Sequence, residues 1–303
     1  MREQKIDLSY HLAQPVMPYQ AARKKLYVVG MGGTGSFLAR HAACIVWLLR
    51  TMGQDVTLTF IDPDRVEEAN IPRQNFCYAE IGRYKAETLA SRYALAFGME
   101  IGCIPDSFEA SMVKAEWNTL CVVAGCVDRA EGRIQMEETL AQNESAGYPL
   151  PRTWYLDLGN GRDFGQFHLG TTRKVESLAK AFALGALPRC YLLPSPLLQQ
   201  PALRKPLPEE RSETALSCAQ LLLVGAQSLM INPAMADEGA DYLYRLLVTG
   251  DLRKFATSID LPSGTKRSVY TTREALAKVI KREPSFFLEP QTSALPASSS
   301  VRA

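Results

Sequence analysis

The sequence predicts an α/β protein: a doubly wound, Rossmann-like, mostly parallel sheet with helices on both faces and a C-terminal extension. Three observations lead there. An apolar run stops at a cluster of glycines and is followed by a long apolar segment, Phe37 to Leu49; a second apolar run, VTLTFI, ends at Asp62; and a third, TLCVVAGCVD, ends at Asp128. Strands that end in turns and alternate with helical stretches are the pattern of a parallel sheet.

Residues 1–24 carry little periodicity, and Pro15 and Pro18 make 12–19 extended or looped. This segment is expected to lie over the domain as an arm. The domain, 25–250, begins with KLYVVGMGGTGS, Lys25 to Ser36. Leu26 to Val29 has the length and β-branched content of a buried strand, and it meets Gly30, Gly32, Gly33 and Gly35. The glycines thus sit between a strand's carboxyl end and a helix's amino end. Free N–H groups and the helix dipole converge there on one point, which suits a phosphate.

Asp62, at the tip of the second strand, is placed to accept hydrogen bonds from a ribose. The segment after it carries Asp64, Asn70, Arg73, Gln74 and Lys85 within about two dozen positions. An Arg and a Lys beside a phosphate-cradling turn suit a triphosphate, whose charge exceeds what a helix dipole balances. On charge alone, a solvated loop followed by a helix with its Arg and Lys in water is the commoner reading.

Composition removes several classes. The 303 residues are 47% hydrophobic and 22% charged, ordinary for a soluble protein. A net charge of +2 with no dense basic block argues against direct nucleic-acid binding. Seven scattered cysteines and no charged-then-apolar leader point to a reducing cytoplasm, and no apolar run is suited to a bilayer. Cys121 and Cys126, in an apolar strand, read as core residues; His11 reads as a surface or packing residue.

Beyond residue 140, TWYLDLG (153–159) and GQFHLG (165–170) read as two strands about an Asn-Gly turn, with His168 facing a partner strand. Residues 188–212 hold six prolines and read as a long irregular crossover rather than a packed element. Residues 214–247 are apolar and helical in period, broken near Asn232-Pro233. The extension, 251–283, holds a strand or two and a helix, and 284–303, rich in Pro, Ser and Ala, is expected to be disordered.

Four segments, GMGGTGS, FIDPDRVEEANIPRQNF, EIGRYKAE and CVVAGCVDRAEGR, resemble in order and spacing the ThiF/MoeB family, which includes the activating enzymes of ubiquitin and of sulfur-carrier proteins. IPRQNFC and GGTGSFL are similar to the ThiF-related member of the PRTRC plasmid cassette. The resemblance implies that the glycine turn holds ATP, that Asp62 holds its ribose, and that Asp64 and Gln74 complete the nucleotide site. Asn70, Arg73 and Lys85 match residues on the triphosphate, and Asp128 matches the acid that coordinates magnesium. The implied reaction is attack by the C-terminal carboxylate of a small ubiquitin-like carrier protein on the α-phosphate, releasing pyrophosphate. Such a carboxylate is already ionised, so charge balance and alignment matter more than a strong base. A conjugating-enzyme-like protein is a further partner that the cassette implies.

The chain departs from the family in two respects. It lacks the N-terminal RYxRQ-like segment whose arginine reaches a partner subunit's site, Arg2 and Arg23 being poor substitutes, and it has no CxxC pair, so no zinc is expected. Family members that pass the carrier to a thiol keep that cysteine in or near the crossover, which makes Cys190 and Cys218 candidates, with Cys218 preferred at a helix start. A homodimer is expected from the resemblance and from the cover that the nearly uncharged helix after the glycines requires. Two other classes stay open: an NAD- or FAD-binding oxidoreductase, and a nucleotide-binding scaffold of a plasmid-encoded complex without turnover.

Overall fold

The computed structural model describes residues 8–145, 150–182, 187–206 and 229–287. Eight strands form one sheet in the order β3-β2-β1-β4-β5-β6-β7-β8. The parallel part comprises β1 (Arg23–Val29), β2 (Asp55–Ile61), β3 (Gly102–Ile104), β4 (Thr119–Gly125) and β5 (Thr153–Asn160). From β5 onward every pairing is antiparallel: β6 (Phe164–Gly170), β7 (Lys254–Asp260) and β8 (Thr265–Tyr270).

Alternation along the strands sorts the core into two faces, because successive side chains of a strand point to opposite sides. Leu26, Val28, Leu58 and Phe60 pack with residues of α2 (Gly33–Thr51), α3 (Lys85–Phe97) and α7 (Ile231–Tyr244). Tyr27, Val29, Ile61 and Val123 pack on the other face with Met136 of α4 (Ala130–Glu138) and with Leu140. The shorter helices are α1 (Ser9–Leu12), α5 (Ala141–Ser145) and α6 (Pro196–Gln199); α8 (Arg273–Ile280) follows β8.

The glycine cluster lies on the boundary the sequence predicts, although α2 starts inside it, at Gly33. The apolar face of α2 packs against α7 of the same chain, so the need for cover no longer argues for a dimer. Pro233 stands in the first turn of α7, where its missing N–H would have no helical partner anyway; the rest of the apolar stretch, 214–228, lies outside the described residues.

Two expectations are corrected. The stretch from 188 is packed, not loose, over its described part: Cys190, Leu193 and Leu197 are buried, and Cys190 exchanges backbone hydrogen bonds with Pro15 and Met17 of the arm. Ser195 caps α6 and its hydroxyl also donates to the buried carboxylate of Glu137, which Arg204 pairs at 2.6 Å, so α4 clamps this segment. Disorder does not begin at 284 either. Pro284–Phe287 forms a 3-10 turn whose Phe287 is fully buried, edge-on to Phe182.

Candidate functional site

The carboxyl ends of β1, β2 and β4 meet at the glycine turn. Gly30 sits at φ +85°, a left-handed conformation, and a Cβ there would come within 2.8 Å of the carbonyl oxygen of Cys126 at the end of β4. At Gly35 a Cβ would fall 1.7 Å from the carbonyl oxygen of Gly30, so only glycine lets α2 begin this close to β1. Gly32 faces open space, with nothing within 4 Å of where its Cβ would stand. The turn is therefore tight on its protein side and open at the helix terminus. This is the form of a phosphate cradle.

Asp62 borders that opening. Its carboxylate accepts the Met31 N–H at 2.5 Å and the Asp64 N–H at 2.8 Å. Burial nevertheless pushes its pKa up to about 6, with Lys85 pulling the other way. Lys85 opens α3; its side chain is buried and pairs with the exposed Asp64 carboxylate at 2.9 Å. The loop between Asp64 and Lys85 is closed by bonds between Val66 and Arg83 and between Gly82 and Val66, and by Arg65 stacked 3.8 Å over Tyr84.

The same loop carries Arg73, which is buried. Burial lowers its pKa to about 10, and the nearby Asp128 partly offsets this. The turn that presents Arg73 is tied to α2, since Asn75 N–H donates to Ser36 Oγ at 2.9 Å and its amide to the Ser36 carbonyl at 3.3 Å. Asn70 is buried and its Oδ1 accepts the Glu67 N–H at 2.9 Å, so that oxygen caps the 3-10 turn Glu68–Asn70. Gln74 is buried with an Oε1 that takes no hydrogen bond among the described residues.

Asp128 is exposed on the loop after β4, and that loop is held from below. Arg133 donates to the carbonyls of Asp128 at 3.1 Å and Val127 at 2.8 Å, and its Nε faces the Asp157 carboxylate at 3.3 Å. Asp157 is fully buried and also accepts from Tyr155 at 2.6 Å. The sequence reading gave Arg133 and Asp157 no task. The signal for them was an acidic residue inside an apolar strand, which must find a partner when buried.

The fold thus brings Gly30, Gly32, Gly33, Gly35, Asp62, Asp64, Asn70, Arg73, Gln74, Lys85 and Asp128 to one end of the parallel strands. It does not bring Cys190 there as an accessible thiol. That thiol is fully buried, burial pushes its pKa far up, and its sulfur lies 3.4 Å from the Leu192 carbonyl, so the expected exposure is not met. Cys218 and Arg2 lie outside the described residues. Arg23 opens β1 at the opposite end of the strands, paired with Asp55 at 2.9 Å. His168 pairs in register with Asp157 and with Ala256, and its Nδ1 lies 3.0 Å from Gln199 Oε1, a packed role. Among the described residues no group of three or more His, Cys, Asp or Glu side chains is arranged to hold a metal, and no helix is long and apolar enough to cross a membrane.

A glycine turn, a buried strand-end carboxylate and buried cations at the carboxyl ends of parallel strands are the arrangement of a nucleotide-binding class of α/β protein. The comparisons agree on the fold. A model of the ThiF family matches residues 17–146. Among solved structures, PaaA is 14% identical with a TM-score of 0.51, over 83% of this chain and 65% of PaaA. MccB of E. coli is 16% identical with a TM-score of 0.50, over 82% of this chain and 62% of MccB. The chain spans less than two thirds of the length of either, and at these identities the likeness shows the shared fold. A search of the curated proteins finds no match.

Proposed function

We propose that the protein binds ATP at the glycine turn and adenylates the C-terminal carboxylate of a small ubiquitin-like or sulfur-carrier-like protein, releasing pyrophosphate. The observation that carries this is the convergence of Arg73, Lys85 and Asp128 on a turn already built for phosphate, a set that a dinucleotide leaves without use. The ThiF family match over 17–146 supports the same reading.

In this reading the N–H groups opening α2 meet the phosphates, and Asp62 accepts the ribose hydroxyls. Arg73 and Lys85 balance the negative charge on the triphosphate and on the attacking carboxylate. Asp128, an exposed carboxylate, would be the residue that holds a magnesium ion, a hard cation that takes oxygen ligands. Magnesium so bound supplies further charge neutralisation at the phosphates. Arg133 and Asp157 keep the Asp128 loop in register with the turn.

A carrier from the same PRTRC-like cassette and a homodimer complete the proposal, both on the sequence resemblance. The test is ATP–pyrophosphate exchange with purified small proteins encoded beside this chain. Exchange that requires one of them and its free C-terminus supports the proposal. Hydride transfer with NAD and no exchange with any of them contradicts it.

A further inference from the structure

Asn232, at the start of α7, has no task in the chemistry above, yet it sits where three parts of the site meet. It is fully buried. Its Nδ2 donates to the backbone carbonyl of Arg73 at 3.2 Å, and its Oδ1 accepts from Asn160 Nδ2 at 3.1 Å. Asn160, at the end of β5, accepts in turn from Thr34 Oγ1 in the first turn of α2 at 3.4 Å. The amide also lies flat against Gly33, where a Cβ would meet its Oδ1 at 2.6 Å and its Nδ2 at 2.7 Å.

These contacts fix the side chain completely. A carbonyl can only accept, so Nδ2 must face Arg73 and Oδ1 must face Asn160. An amide satisfied at both ends in a low-dielectric site has one orientation and resists displacement. Gly33 can then approach only as far as the amide allows. A leucine of similar size would fill the same space without a bond to either side, so packing alone does not require an asparagine.

We propose that Asn232 is a positioning residue of the nucleotide site: it holds Arg73 and the amino terminus of α2 at a fixed separation, so that the guanidinium and the helix N–H groups meet one triphosphate. This rests on the ATP reading above. Its consequence is selective. Adenosine and ribose contacts lie on the β2 side, at Asp62, whereas Asn232 sets the distance between two groups that both address the phosphate chain. Sites of this kind tolerate errors of only about 0.5 Å.

The test compares wild type with Asn232→Asp, which keeps the shape and the acceptor but turns the Arg73-facing donor into an oxygen. Binding of Mg-ATP and of AMP is measured by calorimetry, and amide hydrogen exchange is followed in the nucleotide-free protein. We expect Mg-ATP to bind at least tenfold more weakly and AMP to stay within twofold. Amides of 30–36 and 70–75 should exchange at least tenfold faster, and those of β7 and β8 should be unchanged. Unchanged Mg-ATP binding overturns the proposal, and so does equal loss for both nucleotides with faster exchange across the whole sheet. If the wild type binds no ATP, the function proposed above falls, and exchange decides alone: local acceleration upholds the clamp and unchanged exchange overturns it. Asn232→Ser is read by the same criteria if the Asp variant does not fold.

Discussion

Charge is handled differently in the two halves of the sheet. In the antiparallel half, buried charges are settled by partners. Glu238 of α7 is buried and pairs with Lys254 of β7 at 2.6 Å and with Lys266 of β8; burial works against Asp241, yet Lys254 and Arg245 hold it below its ordinary value. Around the glycine turn, desolvation wins. Asp62 is pushed up to about 6 against the pull of Lys85, and Arg73 down to about 10 against the pull of Asp128. Both are displaced toward their neutral forms; an anionic ligand would restore the charge of Arg73, whereas hydrogen bonds from neutral hydroxyls would favour the ionised Asp62. The difference teaches where to look: a charge held by its neighbours, as at Asp241, builds the fold, and the two displaced at the glycine turn are the ones to test with a ligand.

The sharpest way to break this contrast is to remove the shifted charges. Arg73→Ala, Lys85→Ala and Asp128→Ala should each lower ATP–pyrophosphate exchange about a hundredfold or more, since each balances charge developing at the phosphates. Thermal unfolding should still give a single cooperative transition. Wild-type rates in all three variants would remove the site from this end of the sheet.

The complementary change lies in the other half. Lys254→Met leaves the Glu238 carboxylate with only Lys266, and should cost about 3 kcal/mol of stability, the low end for breaking a buried pair. Denaturant titration reads that loss, while Mg-ATP affinity of the folded fraction should be unaltered. A large loss of affinity at unchanged stability would erase the distinction between the halves.

Asp62 gives a pH signature. Its pKa in the folded chain is raised to about 6, so the stability it contributes is full below the ordinary carboxylate range and is lost as pH rises through about 6. Nucleotide binding has the opposite sign, because ribose hydroxyls bond best to the ionised carboxylate. Mg-ATP affinity should fall as pH drops through about 6, by up to about tenfold per pH unit, and Asp62→Asn should flatten that dependence. A wild-type profile parallel to that of the Asn variant would contradict the ribose role.

The smallest effect concerns the thiol. Cys190→Ala should cost about 1 kcal/mol through a small cavity and leave exchange, and any thiol adduct with the carrier, as in wild type. Loss of an adduct in this variant would show that the buried segment opens during turnover.

The parallel half was the legible one. A strand buried on both faces reads as a continuous apolar run, and its turn needs residues of particular conformation, so LYVVGMGGTG and VTLTFID announce both the element and its end. The hairpin of β5 and β6 was legible for the same reason, through the Asn-Gly between them. The crossover was misread because proline content reports backbone restriction, not exposure. Pro194 and Pro196 flank the buried Ser195, and the whole strap is held by Glu137, a contact 58 residues away that no local pattern encodes. Asn232 and Arg133 escaped for a related reason. Their work is done through backbone carbonyls of distant loops, which carry no residue identity for a sequence to display.

The central claim is that the glycine turn and Arg73 hold a triphosphate, and the most direct measurement is the melting temperature with Mg-ATP and with NAD, for wild type and for Arg73→Ala. At about a hundred times its Kd a ligand adds about 2.7 kcal/mol, enough to raise the midpoint by several degrees. The account predicts that rise for wild type with Mg-ATP, none with NAD, and its loss in Arg73→Ala. Equal stabilisation by NAD, or a rise with Mg-ATP that survives in Arg73→Ala, would contradict it.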